Sequence, residues 1–508
     1  MPFRGNVVDG IVNEPYTRHA MNTHYQHPST RSLRERACVP QDVLARFRAI
    51  VGDAHALTEP ADQERFLIEW RDLYRGRTPM VLRPGSTAEV AAILKLATET
   101  GTAIVPQGGN TGLVGGQVPD GSNTEIILSL GRLNRVRHVD AQGDAMTVEA
   151  GVVLDTIHAE AEKVDRLFPL TLGSQGSCMI GGNLSSNAGG TSVIAYGNAR
   201  DLVLGLEVVL PTGEILEGLR SLRKDNAGYD MKHLFLGTEG TLGVITAAVI
   251  KLFPRPKATE VAFIGVKSPE RALDLLGLAK KLAGSQLTAF EIMPRRLLEF
   301  SIQHVPGTRD PVETATPWYL LVEISVGSGE DAARALIEEL LQQGFEAGLV
   351  VDATIAANLR QRADFWKIRH EMSDVQKFEG GSIKHDVSLP VARVPEFLAR
   401  AIPAVEALVP GCRPVPFGHM GDGNIHFNVT QPVGADKDAY LAEWEAMNAV
   451  VHGITTEMGG SIAAEHGVGR LKRDLLPGVR SPVEMMLMHK LKAALDPAGI
   501  LNPGRVIG

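Results

Sequence analysis

The 508-residue sequence predicts an α+β protein with two main parts, and three observations support this prediction. In the first half, predicted strands and a helix are interrupted by two glycine-rich loops, residues 106–116 and 173–190. Pro254-Arg-Pro256 then breaks the chain, because neither proline can donate to a sheet ladder or favours a continuing helix. The elements after this break follow the order strand, helix, strand, strand, helix, strand, which is typical of an antiparallel sheet covered by helices on one face.

The composition excludes several classes of function. The net charge is −8 and the chain has no basic run, so we expect no nucleic-acid partner. No apolar run approaches the ~20 residues of a membrane span, so we expect no integral membrane segment. Three cysteines are too few for a disulfide framework and indicate a reducing compartment. We therefore expect the cytoplasm, or the mitochondrial matrix if the source is a eukaryote.

The first part opens with a strand–helix–strand unit. A strand is predicted over residues 80–83, and Ser86 and Glu89 form a capping box at the start of the helix that follows. Gly101 ends that helix, and residues 102–105 form the next strand. Further strands are predicted over residues 125–130, 146–150 and 206–210.

The two glycine-rich loops indicate a binding site for a diphosphate. Glycine permits positive φ and a close approach of the backbone, so that consecutive amide groups can bind an anion. Tight turns alone would explain one such loop, but they explain two poorly. Neither loop has the Gly-x-Gly-x-x-Gly spacing of a Rossmann turn, and the chain has no Walker motif, which argues against a nicotinamide-dinucleotide or P-loop fold.

The second part contains a histidine hairpin that predicts a metal site. If Asp422-Gly423 is a two-residue loop, His419 pairs with His426 and both rings lie on one face, together with Asn428. Glu465, which precedes His466, offers a carboxylate. Two histidines and one carboxylate leave open positions on a divalent metal, as in a catalytic site. The alternative is that the two histidines are solvated strand residues with no metal.

The remaining elements give the predicted organisation. Strands are expected over residues 261–266, 288–293, 318–326 and 348–352, and helices over residues 269–282 and 331–343. The predicted parts are a poorly ordered N-terminal extension (1–40), a cofactor-binding domain (41–255), a cap domain with the metal hairpin (256–460) and a C-terminal segment (461–508) that returns to the first domain.

Taken together, the motifs resemble those of the FAD-linked oxidoreductases of the vanillyl-alcohol-oxidase type. The resemblance runs in order from about residue 75 to the Leu501-Asn-Pro-Gly504 ending, and within that type it is to the D-2-hydroxyacid dehydrogenases. It implies a two-part FAD-binding domain and a cap domain that binds substrate. It also implies non-covalent FAD, since Asn110 stands in the loop where some flavoproteins of this type carry a histidine tether. The FAD-binding residues implied are Pro106, Gly108, Gly109, Asn110, Thr111, Gly112, Ser177, Gly181, Gly182, Asn183, Asn187, Glu239, Gly240, Ile245 and Asn502.

The resemblance further implies oxidation of a D-2-hydroxyacid to the 2-oxoacid by hydride transfer to flavin N5. A divalent metal on His419, His426 and Glu465 would chelate the substrate; zinc is expected, with manganese or cobalt as alternatives. His466 is the expected base because imidazole titrates near neutrality. The expected substrate-binding residues are Arg369, Ser373, Lys384, Asn428 and His466.

The lysine at position 384 favours D-2-hydroxyglutarate as substrate, since by resemblance the lactate enzymes lack it. D-lactate dehydrogenase and glycolate oxidase subunits are the alternatives within the family. An electron-transfer flavoprotein is the implied electron acceptor, and a homodimer is compatible with the sequence. Two readings outside the family are a zinc hydrolase, which leaves the glycine loops unexplained, and a non-catalytic flavin-binding module, which leaves the histidines unused.

Overall fold

The computed structural model describes residues 37–507. The predicted N-terminal extension therefore lies outside the described residues, except for its last four. Within the described range, no helix is both long enough and apolar enough to cross a membrane.

The first part contains two sheets. Its strands are β1 Ala56–Leu57, β2 Val81–Leu82, β3 Ala103–Gln107, β4 Glu125–Ser129, β5 Val136–Asp140, β6 Ala145–Glu149, β7 Arg166–Leu167, β8 Val203–Val209, β9 Ile215–Gly218 and β10 Val244–Lys251. One sheet has the order β1-β2-β4-β3, with β2 and β3 both parallel to β4, and the other has the order β5-β6-β10-β8-β9. The helices are α1 Gln41–Val51, α2 Pro60–Leu67, α3 Thr87–Thr100, α4 Leu154–Glu162, α5 Ile180–Ser185 and α6 Val193–Tyr196.

The termini of α3 follow the predicted signals, with one difference. The Ser86 hydroxyl accepts the N–H of Glu89 (3.2 Å), and Gly101 ends the helix in the left-handed region at φ 68°. The Glu89 carboxylate, however, accepts the N–H of Gly85 (2.7 Å) instead of that of Ser86. The N-terminus of α3 therefore has one of the two hydrogen bonds of the predicted capping box.

The second part is built on one large, mostly antiparallel sheet. After β11 Phe253–Pro254, which pairs with β7, the strands are β12 Ala258–Val266, β13 Leu287–Pro294, β14 Trp318–Val326, β15 Asp352–Ile355, β16 Ser382–Ser388, β17 Arg413–Pro414, β18 Phe417–His419 and β19 Asn424–Thr430. Their order is β15-β12-β14-β13-β18-β19-β16, and β17 also pairs with β19. The helices are α7 Pro269–Ala283, α8 Arg295–His304, α9 Glu330–Glu346, α10 Leu359–Val375, α11 Val394–Leu408, α12 Lys437–Leu441 and α13 Trp444–Glu457.

Helices cover both faces of this sheet, so the prediction of one covered face is wrong. Along β12, Ala262 and Ile264 pack with α7 and α9, whereas Val261 and Phe263 pack with α8 and α10. Both faces of this strand are apolar, and a strand buried on both faces reads as a continuous hydrophobic run. The sequence of β12 therefore carries no alternation that would reveal a solvent face.

The strand predicted over residues 348–352 is also displaced, because α9 extends further than expected. Gly348 adopts φ 67° and donates to the carbonyl of Phe345 (3.0 Å), which is the C-terminal turn of the helix. The strand begins only at Asp352.

The C-terminal segment, which includes α14 Leu476–Val479 and α15 Pro482–Leu495, contacts the first sheet. Leu501 bridges to Ile104 of β3 in parallel, and the N–H of Asn502 donates to the Ile104 carbonyl (2.8 Å). Arg505 forms a buried ion pair with Glu125 of β4 (2.6 Å). These contacts bring the loop that carries Glu465 and His466 close to the glycine-rich loops.

Candidate active site

Strand alternation divides the end of the large sheet into an apolar face and a polar face. On β16 and β19, Ile383, Val387, Ile425, Phe427 and Val429 all pack into the core beneath α11 and α13. The intervening residues point to the opposite face, where Lys384 lies directly across from Asn428, and Asp386 directly across from His426. An ammonium, an amide, a carboxylate and an imidazole therefore lie together on one face. We call this surface the polar patch; it consists of Lys384, Asn428, Asp386 and His426.

The hairpin register differs from the predicted one by two residues. His419 pairs with Asn424 and Phe417 pairs with His426, so the loop has four residues instead of two. The N–H groups of Asp422 and Gly423 both donate to the His419 carbonyl (3.2 and 3.0 Å), and the loop residue Gly421 donates to Phe290 of β13 (3.1 Å). The contact with β13 opens the tight turn that the Asp-Gly pair predicts.

A shift of two residues preserves the face of every side chain, so the predicted proximity of the histidines survives the wrong register. The rings of His419 and His426 are 5.4 Å apart between centroids, at an angle of 78°.

Glu291 on β13 orients both His419 and Arg369. Its carboxylate is fully buried, accepts from His419 Nδ1 (2.8 Å) and pairs with Arg369 Nε (2.6 Å). Burial would raise the pKa of Glu291, but the charges of Arg369 and His419 lower it to about 2. Burial would likewise lower the pKa of His419, but Glu291 raises it to about 9. The carboxylate thus occupies Nδ1 and leaves His419 Nε2 as the nitrogen available to a ligand.

Asp386 organises the loop that carries Glu465 and His466. Its Oδ2 accepts the backbone N–H of both residues (3.0 and 2.9 Å) and lies 3.4 Å from His466 Nδ1. The Glu465 carboxylate accepts the N–H of Gly190 (3.1 Å). Gly190 has φ 102°, so this approach depends on a glycine in the second glycine-rich loop.

Four of these groups converge closely enough to hold a metal ion. Ligand atoms of Asp386, His426, Glu465 and His466 all lie within 4.8 Å of one another. His426 Nε2 is 3.6 Å from Glu465 Oε1, and the His426 and His466 rings stack at 5.7 Å. Imidazole nitrogens and carboxylate oxygens suit zinc and related divalent metals, so the residues fit the predicted metal. His419 is outside this tight group but adjoins His426 on the same face.

His466, the residue predicted as the base, is buried between two carboxylates. Burial lowers its pKa, although the nearby charges of Asp386 and Glu465 oppose that shift. Asp386 faces Nδ1, which leaves Nε2, 3.8 Å from Glu465, as the nitrogen that can accept a proton.

Lys384 and Ser373 meet at the other end of the polar patch. Lys384 Nζ donates to the carbonyl of Ser373 (2.9 Å) and lies 3.4 Å from its hydroxyl oxygen. Arg369 lies one turn before Ser373 on α10, as predicted, and its guanidinium stacks over Phe417 at 4.9 Å. Burial lowers the pKa of Lys384 to about 7, and the charge of Arg71 adds to that effect.

The two glycine-rich loops lie against each other. A Cβ at Gly109 would meet the carbonyl oxygen of Ser177 at 2.1 Å, so only glycine fits there. A Cβ at Gly108 would lie 3.7 Å from the backbone nitrogen of Gly182. In the part of the chain that the structure describes, a Cβ at Gly182 would meet no atom within 4 Å beyond its chain neighbours and its own helix backbone. The paired loops therefore offer a backbone surface that a flat or phosphorylated ligand can approach.

Buried amide oxygens without partners surround this surface and supply a test of fit for FAD. Within residues 37–507, the side-chain oxygens of Gln107, Asn110, Asn183 and Asn502 are buried and accept no hydrogen bond. Such groups are costly unless a ligand or water satisfies them. FAD carries several hydroxyl and N–H donors, and the residues present fit it.

The other predicted FAD residues fall into three groups. Glu239 accepts from the N–H groups of Val468 and Gly469 (2.7 and 2.9 Å), and Asn502 donates to the carbonyls of Gly116 and Glu239 (3.0 and 2.7 Å), which joins the loops to the C-terminal segment. Burial raises the pKa of Glu239 to about 7. Away from this junction, Gly181 packs against Ala150, and the Ile245 side chain lies in the core of the second sheet. The remaining predicted residues, Pro106, Thr111, Gly112, Asn187 and Gly240, lie in or beside the same loops.

Sequence reasoning missed Glu291 and Asp386. The signal for Asp386 was present, since it lies two residues from Lys384 on a strand and thus on the same face. Glu291 is the single carboxylate within an apolar strand, which is a weaker signal for a buried pair.

Two family models match the chain. The model described as the FAD binding domain matches residues 78–218, and that of the FAD linked oxidases, C-terminal domain, matches residues 255–506. The mitochondrial D-2-hydroxyglutarate dehydrogenase of Rattus norvegicus is 40% identical over 472 residues, which cover 92% of this chain and 85% of that protein. The D-2-hydroxyglutarate dehydrogenase of Xanthomonas citri pv. viticola is 36% identical, with coverage of 88% and 93%.

Solved structures show the same fold at low identity. P-cresol methylhydroxylase with substrate bound has a TM-score of 0.71 at 16% identity, with coverage of 92% of this chain and 97% of that chain. Alkyldihydroxyacetonephosphate synthase has a TM-score of 0.70 at 17% identity, with coverage of 92% and 86%. The predicted architecture, an FAD-binding domain followed by a cap domain with a helix-covered antiparallel sheet, is confirmed.

Proposed function

The chain belongs to the family of FAD-linked D-2-hydroxyacid dehydrogenases, and from this premise we propose that it oxidises D-2-hydroxyglutarate to 2-oxoglutarate. One observation carries the choice of substrate. Lys384 lies directly across from Asn428 on the polar face and contacts Ser373. Its ammonium group is therefore carried two residues along β16 from Asp386, the residue that contacts His466. A cation in that position suits a second carboxylate, which D-lactate and glycolate lack.

The chain's own residues divide the work between the two ends of the substrate. Lys384, Ser373 and Arg369 bind the distal carboxylate through charge-assisted hydrogen bonds. Asn428 and His426 lie next to them on the same strand and orient the hydroxyacid end. The 2-hydroxyl proton passes to Nε2 of His466, while Asp386 fixes the orientation of that ring at Nδ1.

The remaining residues would hold two groups. The paired glycine-rich loops with Asn110, Asn183, Glu239 and Asn502 would hold FAD, which would supply the acceptor for the hydride from C2. His419, His426 and Glu465, with Asp386 beside them, would hold a divalent metal, which would supply Lewis-acid polarisation of the hydroxyl; zinc suits these donors, and manganese or cobalt would also fit. His419 would have to lose its proton to act as a ligand, so metal binding should become weaker as the pH falls.

The two readings outside the family find no support in these comparisons. We also propose an electron-transfer flavoprotein as acceptor and a homodimer as assembly. We propose the mitochondrial matrix as the location for a eukaryotic source, because the rat relative is named as mitochondrial. For any other source we propose the cytoplasm.

The substrate is tested by the ratio of two efficiencies. Lys384→Ala removes a charge-assisted hydrogen bond of roughly 1.5–3 kcal/mol, which corresponds to a loss of about 10- to 150-fold in kcat/KM on D-2-hydroxyglutarate. Efficiency on D-lactate should change little. Lys267→Ala, at an exposed position of the cap domain, is the matched control and should alter neither substrate. Equal losses on both substrates, or a parent enzyme that prefers D-lactate, would remove the dicarboxylate assignment.

A further inference from the structure

The segment between Glu69 and Tyr74 crosses from the first domain to the active site. At one end, the Trp70 ring lies 5.8 Å from the Lys377 ammonium, in the turn that follows α10 and Ser373. At the other end, the Tyr74 ring lies 4.8 Å from the guanidinium of Arg470, just after the loop that carries Glu465 and His466. The segment therefore touches the structure on both sides of the polar patch, and Arg71 lies between the two contacts.

The backbone of this segment is held by a buried carboxylate. Glu69 is 1% exposed, and its Oε2 accepts the N–H of Arg71 (2.8 Å) and the N–H of Leu73 (3.2 Å). Asp72 takes φ 56° between them. These bonds involve main-chain N–H groups, so they fix the position of Arg71 and leave its guanidinium available for other contacts.

The Arg71 guanidinium makes no hydrogen bond or ion pair with any group in residues 37–507, although the side chain is half-buried. An arginine that is partly removed from water is usually paired. Burial is the largest cause of the lowered pKa of Lys384 and of His466, and the charge of Arg71 adds to it. Burial lowers the pKa of Arg71 itself, and the charges of Glu69 and Asp386 oppose that shift.

Two other cations at this end already have anionic partners. Arg369 is paired with Glu291 through Nε (2.6 Å), which leaves its terminal N–H groups for the substrate, and Lys377 is paired with Asp374 (2.6 Å). Within residues 37–507, Lys384 contacts a carbonyl and a hydroxyl but forms no ion pair, and Arg71 forms no side-chain hydrogen bond or ion pair. Two cations without an ion-pair partner at one end of the polar patch favour an anionic ligand.

We propose that the guanidinium of Arg71, together with Lys384, binds the distal carboxylate of the substrate, which makes Arg71 a specificity-determining residue supplied by the first domain. This inference rests on the proposed dicarboxylate substrate. The planar guanidinium can bind a carboxylate through two parallel hydrogen bonds, which a single ammonium cannot do. The segment that carries Arg71 belongs to the first domain, so substrate selection involves both domains.

The test uses the holoenzyme and the variant Arg71→Gln. We expect kcat/KM on D-2-hydroxyglutarate to fall about 10- to 150-fold, the worth of a charge-assisted hydrogen bond, while D-lactate changes less than about 3-fold. The Kd of 2-oxoglutarate, followed by the change in flavin absorbance on binding, should weaken by a similar factor, and that of pyruvate should not. Arg75→Gln, a change at an exposed arginine four residues along, is the matched control and should leave all four values near those of the parent.

The outcomes separate this inference from the proposed function. A parent that binds 2-oxoglutarate no better than pyruvate contradicts both. A parent that prefers the dicarboxylate, with Arg71→Gln unchanged or equally impaired on both substrates, contradicts only the role of Arg71. If the glutamine variant does not retain FAD, Arg71→Lys takes its place. It should show a loss of about 3-fold or more on the dicarboxylate alone, because lysine keeps the charge but loses the paired hydrogen bonds; no selective loss overturns the inference.

Discussion

The imidazole of His466 lies between two carboxylates, with Nδ1 3.4 Å from Asp386 and Nε2 3.8 Å from Glu465. Asp386 also accepts the backbone N–H of His466, so one carboxylate fixes both the position and the orientation of the ring. We propose that this fixed orientation serves general-base catalysis, in which the reactive nitrogen must lie within reach of the hydroxyl proton.

We expect His466→Gln to slow flavin reduction by about 100-fold or more, the usual contribution of a positioned base. The Kd of 2-oxoglutarate should stay within about 3-fold, because glutamine keeps a polar group of similar reach. Rapid mixing of the FAD-loaded enzyme with D-2-hydroxyglutarate measures the first quantity and absorbance titration the second. His138→Gln, on the exposed strand β5, is the control. Reduction at the parent rate would exclude His466 as the base.

The pKa of Lys384 gives a second prediction for a single residue. Burial, assisted by the charge of Arg71, lowers this pKa to about 7. Only the protonated ammonium attracts a carboxylate, so kcat/KM on D-2-hydroxyglutarate should fall as the pH rises through about 7 to 8.5, by up to about 10-fold per unit. The pH profile measured with D-lactate should show no such fall. The profile of Lys384→Arg with D-2-hydroxyglutarate should also show none, because arginine stays protonated. The same fall in all three profiles would mean that another group titrates.

Strand alternation predicted part of the geometry of the site, but the buried partners of its residues were harder to infer. The sequence predicted His426 and Asn428 on one face, and the structure has them there, with Lys384 of the neighbouring strand on the same face; the roles of these residues stay predictions. Glu291 and Arg71 come from distant parts of the chain, and no local spacing connects either of them to the histidine hairpin. Their roles depend on tertiary packing, which a single sequence does not reveal.

At the scale of elements, the β18–β19 hairpin shows how tertiary contact overrides a turn preference. Asp422-Gly423 predicts a two-residue loop, but the bond from Gly421 to Phe290 of the neighbouring strand favours a four-residue loop. The helices on both faces of the sheet were missed for a related reason, since β12 is apolar on both sides and gives no sign of which face is covered.

The hairpin also supports a prediction about metal removal. The two histidines proposed as metal ligands lie on a sheet whose apolar face is fully packed, and Glu465 lies on a loop beside it, so the core and not the metal should stabilise the domain. Chelation should abolish turnover, leave FAD bound and shift the Tm by less than about 2 °C. Activity should return on addition of zinc, manganese or cobalt. Unfolding on chelation, seen as a cooperative loss of circular dichroism, would make the site structural.

At the scale of the whole molecule, the C-terminal segment ties the loop with Glu465 and His466 to the FAD-binding domain. The contacts of Leu501, Asn502 and Arg505 with the first sheet bring this about. The return of the chain could be predicted from the resemblance, but the buried Arg505–Glu125 pair could not, because these residues are 380 positions apart.

That pair offers a test of the segment's contribution to stability. Arg505→Met leaves Glu125 buried without its partner and should lower the free energy of unfolding by about 3–5 kcal/mol. Arg480→Met, at an exposed arginine of the same segment, should cost less than about 0.5 kcal/mol. Urea denaturation of the FAD-loaded proteins gives both values. Similar values for the two variants would show that the contact of the segment with the first domain adds little to stability.

We propose above that this protein passes a hydride from a D-2-hydroxydicarboxylate to FAD. The most direct measurement is the flavin absorbance of the purified enzyme, followed without oxygen as D-2-hydroxyglutarate, its L-enantiomer or D-lactate is added. We predict rapid bleaching by D-2-hydroxyglutarate, much slower bleaching by D-lactate and none by the L-enantiomer, with one 2-oxoglutarate formed per flavin reduced. A flavin that stays oxidised with D-2-hydroxyglutarate, or that bleaches faster with D-lactate, would contradict it.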